Sequence, residues 1–161
     1  MYLNTVTRSH GDIEILILRK AQFDLHRHLN GSFALTQIAA GLERPWLAPE
    51  PLNASVHQMR ARSTEFEFDI FLGESDGPEW IYRRDRRVKR PLPDITIEAA
   101  SGLPILVPEI VLLFKAKHLL AKDQTDFERV APHLGVPAKR WLRYALDLAH
   151  PTCAWRHVIN T

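Results

Sequence analysis

Cysteine is almost absent from this 161-residue chain, which has one, Cys153. A lone thiol excludes an internal disulfide framework and any Cys-rich zinc site, and near the C-terminal end it reads as a quiet residue. Long apolar runs are missing too: no stretch approaches the roughly 20 residues that span a bilayer. The opening "MYLNTVTRSHG" has neither a basic segment leading into an apolar core nor a small-residue cleavage site, so a cytoplasmic protein is the expectation. Neither sign of charge dominates, and a formal net charge of +2 is too small to argue for nucleic acid binding from the totals. There is no P-loop or GxGxxG segment, which weakens a Rossmann reading. No internal repeat or low-complexity tract is present.

What remains has ordinary globular composition, 45% hydrophobic and 25% charged, at a length that suits one domain or a compact core with a helical extension. "GDIEILIL" alternates acid and isoleucine and then turns apolar on both faces, as does a strand entering a covered sheet from a more polar end. "RKAQFDLHRHLN" reads as a short helix stopped at Asn30 and Gly31. "SFALTQIAAG" reads as a strand, and the Pro-rich "RPWLAPEPLNA" as a loop. "STEFEFDIFLG" alternates clearly, with Phe66, Phe68, Ile70 and Leu72 on one face and Glu65, Glu67, Asp69 and Phe71 on the other. A short strand is expected within "PEWIYRRDRRVKRPL", and a hairpin closed around Ser101 and Gly102 in "DITIEAASGLPILV". From Pro108, "PEIVLLFKAKHLL", "DQTDFERVAPHL" and "PAKRWLRYALDLAH" read as helices. The fold class expected is α+β: a strand-rich mixed core over residues 1–107 and a C-terminal helical layer over residues 108–161.

The acids at the mouth of the first strand are the chemical signal. Alternation sends Asp12 and Glu14 to one face and Ile13 and Ile15 to the other, so two carboxylates can share one cation. If a second strand pairs beside the first, Asp69 joins them on that face. Converging carboxylates form a hard oxygen site suited to Mg²⁺, which keeps several waters and is usually completed by substrate phosphates. The alternative is that all three acids are solvated groups on a half-exposed sheet.

"TRSHGDIEI" resembles the catalytic strand of the nucleotidyltransferase superfamily with a DNA polymerase β-like fold, and within it the aminoglycoside adenylyltransferases that modify the 2-double-prime hydroxyl. There, a Thr-Arg-x-His run leads into an Asp-x-Asp or Asp-x-Glu pair, matched here by Thr7, Arg8, His10, Asp12 and Glu14. "FEFDIFL" resembles the later strand that supplies a third carboxylate, Asp69, and "PEIVLLFKAKHLLAKDQTDF" resembles the lysine-bearing helical segment. The resemblance implies two Mg²⁺ ions on Asp12, Glu14 and Asp69, a nucleoside triphosphate (ATP) as substrate, and a hydroxyl acceptor of the aminoglycoside-like small-molecule kind. It also implies that Asp69 accepts the acceptor's proton and that Arg8, Lys115 and Lys117 face the phosphates. Asp123 and Asp126 are expected to order the lysine-bearing helices. Members of the group carry a Gly-Gly or Gly-Ser turn upstream of the acids as a phosphate cradle. "MYLNTV" resembles the end of that helix, so a start inside a longer reading frame is expected. The alternative function is an impaired remnant that binds a nucleotide or partner without turnover.

Three further signals are weaker. "YRRDRRVKRPL" is the densest basic segment and fits either a solvated edge strand or a phosphate-contacting ridge over residues 83–90, and nucleic acid is not the expected partner. "FDLHRHLN" brings Asp24 and His28 to helical i, i+4 spacing with His26 beside them, but no second cluster completes a transition-metal site. His118, alone on an apolar helix, reads as a packed residue.

Overall fold

The computed structural model describes residues 13–159, and the fold is α+β. The described residues form two compact units, one ending at Gly77 and the other beginning at Pro78. The first contains β1 (Ile13–Leu18), α1 (Gln22–Leu29), β2 (Ala34–Ala39), β3 (Leu42–Pro45), β4 (Gln58–Arg62) and β5 (Glu67–Asp76). The second contains β6 (Glu79–Ile81), β7 (Lys89–Pro91), β8 (Thr96–Glu98), β9 (Pro104–Leu106), α2 (Pro108–Lys115), α3 (Ala121–Val130), α4 (Val136–Ala149) and α5 (Trp155–Val158).

In the first unit β2 pairs antiparallel with both β3 and β4, and β4 pairs antiparallel with β5. β1 runs parallel to β5, with Ile13 opposite Phe68 and Leu18 opposite Gly73. Because β1 and β4 both pair with residues 68–71, they occupy opposite edges of β5, giving the order β3-β2-β4-β5-β1. The β2–β3 hairpin turns on Ala40 and Gly41, both at positive φ (49° and 76°). That is the two-residue geometry that matches strand twist and that glycine adopts without steric cost.

One face of this sheet makes the core. Leu35, Met59, Ala61, Ile70 and Leu72 are buried there with Trp46, Leu52 and Val56 of the β3–β4 connection. Ile15 and Ile17 of β1 and Phe23, Leu25 and Leu29 of α1 pack against them. The buried Gln22 side chain is satisfied, since its Oε1 accepts the Leu52 N–H at 2.7 Å. Phe66 precedes β5 and is 56% exposed, its ring parallel to that of Phe68. The apolar face of "FEFDIFL" is therefore buried only from Phe68 onward.

Arg19, just after β1, ties the β3–β4 connection to the sheet. Its Nε donates to Glu74 Oε1 at 2.8 Å, and its terminal nitrogens donate to the carbonyls of Val56 at 2.8 Å and Asn53 at 3.2 Å. One guanidinium thus bonds a carboxylate, the Val56 carbonyl and the Asn53 carbonyl, which also accepts the Val56 N–H at 2.9 Å.

In the second unit β6 pairs with β7 and β8 with β9, both antiparallel, and Gly102 at φ 79° lies in the β8–β9 turn. Pro108 opens α2, where its missing N–H costs no hydrogen bond. Ile110, Leu113, Leu142, Ala145 and Leu146 are fully buried, joining α2 to α4. Phe127 stacks on Trp155 at 4.4 Å, and the Trp155 indole donates to Gln124 Oε1 at 2.6 Å. Cys153 is buried, and burial pushes its thiol pKa up, away from the reactive thiolate. Among the described residues no helix is long and apolar enough to cross a membrane.

Arg19→Met is expected to lower the stability of the first unit by about 1–2 kcal/mol, because its partners must then find water. A urea transition followed by Trp46 fluorescence measures this, and an unchanged midpoint would contradict the role given to Arg19.

Candidate functional site

The sheet face opposite the core carries a row of charged and polar side chains across the five strands. Glu14 of β1 lies directly opposite Asp69 of β5, Asp69 opposite Arg60 of β4, and Arg60 opposite Thr36 of β2. The row ends on β3, where Glu43 Oε1 accepts the Thr36 hydroxyl at 2.7 Å. It is polar because isoleucine, methionine and alanine alternate with these residues and take the core side: Ile15, Ile70, Met59 and Ala61.

Acids outnumber cations in this row. Arg60 Nε donates to Asp69 Oδ1 at 2.9 Å and lies 3.4 Å from Glu67 Oε1, and a terminal nitrogen reaches Glu43 Oε2 at 3.2 Å. Arg62 pairs with Glu67 and with Glu43, the latter at 2.7 Å. The hydrogen bond to Asp69 holds the Arg60 pKa above its ordinary value, overcoming the opposing effect of desolvation. The Thr36 hydroxyl, with help from Arg62 and Arg60, holds the Glu43 carboxyl below the usual range. The Arg60 and Asp69 side chains are only 22% and 16% exposed, so their attraction is less screened than that of an open surface pair.

Glu14 and Asp69, expected from sequence to share a site, stand side by side on neighbouring strands about 4.8 Å apart. The register places both carboxylates on the same face, and an all-oxygen donor set suits Mg²⁺. Asp12 and Arg8 lie outside the described residues, as do Thr7 and His10. Among the described residues, no three or more His, Cys, Asp or Glu side chains cluster as a metal site. The described part of the site is a carboxylate pair.

Lys115 closes α2 and is already paired. Its Nζ lies 3.0 Å from Asp126 Oδ2 and 3.2 Å from Asp123 Oδ1. Desolvation alone pulls its pKa down, but the hydrogen bonds it donates to Asp126 and Asp123 outweigh that effect and hold the ammonium above its ordinary value. Asp123 Oδ2 also accepts the Leu120 N–H at 3.2 Å at the start of α3. The two aspartates thus order the lysine-bearing helices, as their sequence positions suggest. Lys117 is exposed beyond the end of α2.

Arg60, Glu43 and Thr36 were not singled out from the sequence. Their signal is faint: "QMRAR" alternates only two inward residues, Met59 and Ala61, and "LERP" forms a strand with no buried residue.

The other sequence signals have structural occupations. Arg84 donates to the Tyr82 hydroxyl at 2.8 Å, Arg87 pairs with Asp85 at 2.6 Å and Lys89 with Glu79 at 3.3 Å. Arg90 pairs with the buried Glu109 at 2.6 Å and lies over the Trp141 ring. Much of the basic segment therefore serves its own unit. In α1, Asp24 pairs with Arg27, and the His26 ring meets Trp46 edge-on.

One further cluster is titratable. The buried Tyr82 hydroxyl lies 2.9 Å from His150 Nε2 and 3.4 Å from the Leu113 carbonyl. Desolvation first, then Arg84 and Lys117, keep the His150 pKa below its ordinary value, so the neutral ring is favoured and its Nε2 can accept the Tyr82 proton. Burial raises the Tyr82 pKa, against the opposing pull of Arg84.

A scan against protein-family models finds no match, and a search of curated proteins finds none either.

His150 gives a signed pH effect. Unfolded histidine takes up a proton near pH 6.5, whereas folded His150 does so only at lower pH. Over that window the unfolded chain binds more protons, so stability falls as pH drops below about 6.5 and levels off below the folded pKa. Urea unfolding at pH 7.5 and 5.5 should show a smaller loss in His150→Gln than in the parent chain, and equal losses would contradict the assignment.

Proposed function

We propose that this chain carries a Mg²⁺-dependent nucleotidyl-transfer site, in which Asp12, Glu14 and Asp69 hold two divalent ions that bind a nucleoside triphosphate, ATP. The observation that carries the reading is the in-register pairing of Glu14 with Asp69 on the sheet face opposite the core. It is the geometry needed by the resemblance of "TRSHGDIEI" and "FEFDIFL" to nucleotidyltransferase strands. Mg²⁺ would supply the positive charge that offsets the charge developing on the triphosphate.

The chain's own groups do the rest. Glu14 and Asp69 project from paired strands, so their spacing is fixed by backbone hydrogen bonds before any ligand arrives. In the proposed step an acceptor hydroxyl oxygen forms a bond to the α-phosphorus as the bond to pyrophosphate breaks. Asp69 accepts the hydroxyl proton, and the products are a nucleotidylated acceptor and pyrophosphate. The acceptor class is a small polyhydroxylated molecule, aminoglycoside-like in kind. Arg8 and Lys117 are assigned to the phosphates, and Lys115 is the less suited lysine because Asp123 and Asp126 already share its charge. The proposed setting is the cytoplasm, where nucleoside triphosphates are held.

A second reading, nucleotide or partner binding without turnover, draws support from the same pairing. Lys115 is held by two aspartates and Asp69 by Arg60.

Calorimetry of ATP with Mg²⁺ is expected to show binding that vanishes with a chelator and weakens at least roughly tenfold in Asp69→Asn or Glu14→Gln, since each removes a charged ligand. Binding that ignores Mg²⁺ and both substitutions would overturn the proposal. Pyrophosphate release in a screen of hydroxyl acceptors separates transfer from binding alone.

A further inference from the structure

Asp69 has an anion on one flank, Glu14, and a cation on the other, Arg60. The guanidinium is held by more than Asp69: Glu67 and Glu43 lie 3.4 and 3.2 Å from its nitrogens. We infer that Arg60 is a positioning residue that selects a nucleotide-bound cation over a bare one, by occupying Asp69 until a metal-triphosphate displaces it. This inference rests on the proposed nucleotidyl-transfer reading and goes beyond it in assigning the selectivity to Arg60.

With Arg60 Nε 2.9 Å from Asp69 Oδ1, a divalent ion that also uses Asp69 sits close to the guanidinium charge. A bare ion brings two positive charges into that field. A triphosphate brings net negative charge with one divalent ion and is neutral with two, so the guanidinium repels neither complex. At about 5–6 Å, even in water-like dielectric, the repulsion of the bare ion is worth roughly tenfold in its affinity. When Asp69 turns to the metal, Glu67 and Glu43 still hold Arg60 in place on β4, so the arginine is displaced from one partner without being set loose. Arg62, pairing with the same two acids, anchors them from the next outward position of β4.

The test uses the full chain, with Mn²⁺ as the probe, its binding read by electron paramagnetic resonance with and without ATP. Arg60→Gln is expected to bind bare Mn²⁺ about tenfold more tightly than the parent, while Mn²⁺-ATP affinity rises far less or falls. Arg60→Lys keeps the charge and should stay near the parent value, and circular dichroism checks that both variants fold. A purely structural role for Arg60 would not move this ratio. If Asp69→Asn abolishes Mn²⁺ binding but Arg60→Gln leaves the bare-to-nucleotide ratio unchanged, the selectivity role is overturned and the metal site stands. If Asp69→Asn leaves Mn²⁺ binding intact, the metal site fails and the role of Arg60 fails with it.

Discussion

The parallel pairing of β1 with β5 is the constraint on which the first unit depends. Its register places Ile15 opposite Ile70 and Ile17 opposite Leu72, all on the core side, and by the same alternation sets Glu14 opposite Asp69 on the other side. A slip of one residue would carry the isoleucines out of the core and the acids into it. Burial of apolar side chains on one face thereby enforces the approach of two carboxylates on the other. Two anions held so close repel each other, and the cost is tolerable where a cation stands nearby. Arg60 supplies that charge in the row as it stands.

The same face shows how a charged sheet surface is kept ordered. Four acids and two arginines alternate across β1, β5, β4 and β3, so each guanidinium bridges strands that backbone hydrogen bonds have already fixed in register. Thr36 adds a hydrogen bond to Glu43 that no charge count would reveal. In the second unit the logic differs: Lys115 and Arg90 draw acids inward, to Asp123 and Asp126 and to Glu109, and these pairs fasten helices and strands within that unit. The arginines that make residues 83–90 look like a nucleic-acid ridge are in good part spent in this way.

What the sequence revealed follows from which signals are local. The alternation of "FEFDIFL", the Ser-Gly turn of the β8–β9 hairpin and the helical spacing after Pro108 each lie within a dozen residues, and each has its element in the structure. The pairing of Asp69 with Glu14 required only that two alternating segments become neighbours. Arg60 was invisible for the opposite reason. β4 shows just Met59 and Ala61 as inward residues, β3 shows none, and the identity of Asp69's cation depends on a strand order that no local pattern encodes. Of the three acids, Asp12 lies outside the described residues, and the structure describes Glu14 and Asp69 on paired strands.

The central claim is that these carboxylates share a divalent ion. Anomalous diffraction from crystals grown with Mn²⁺ and ATP tests it most directly. The account predicts a peak about 2.0–2.3 Å from carboxylate oxygens of both Glu14 and Asp69, with the Asp69 bond to Arg60 lengthened. A peak bound elsewhere, or none with Asp69 still paired to Arg60, would contradict it.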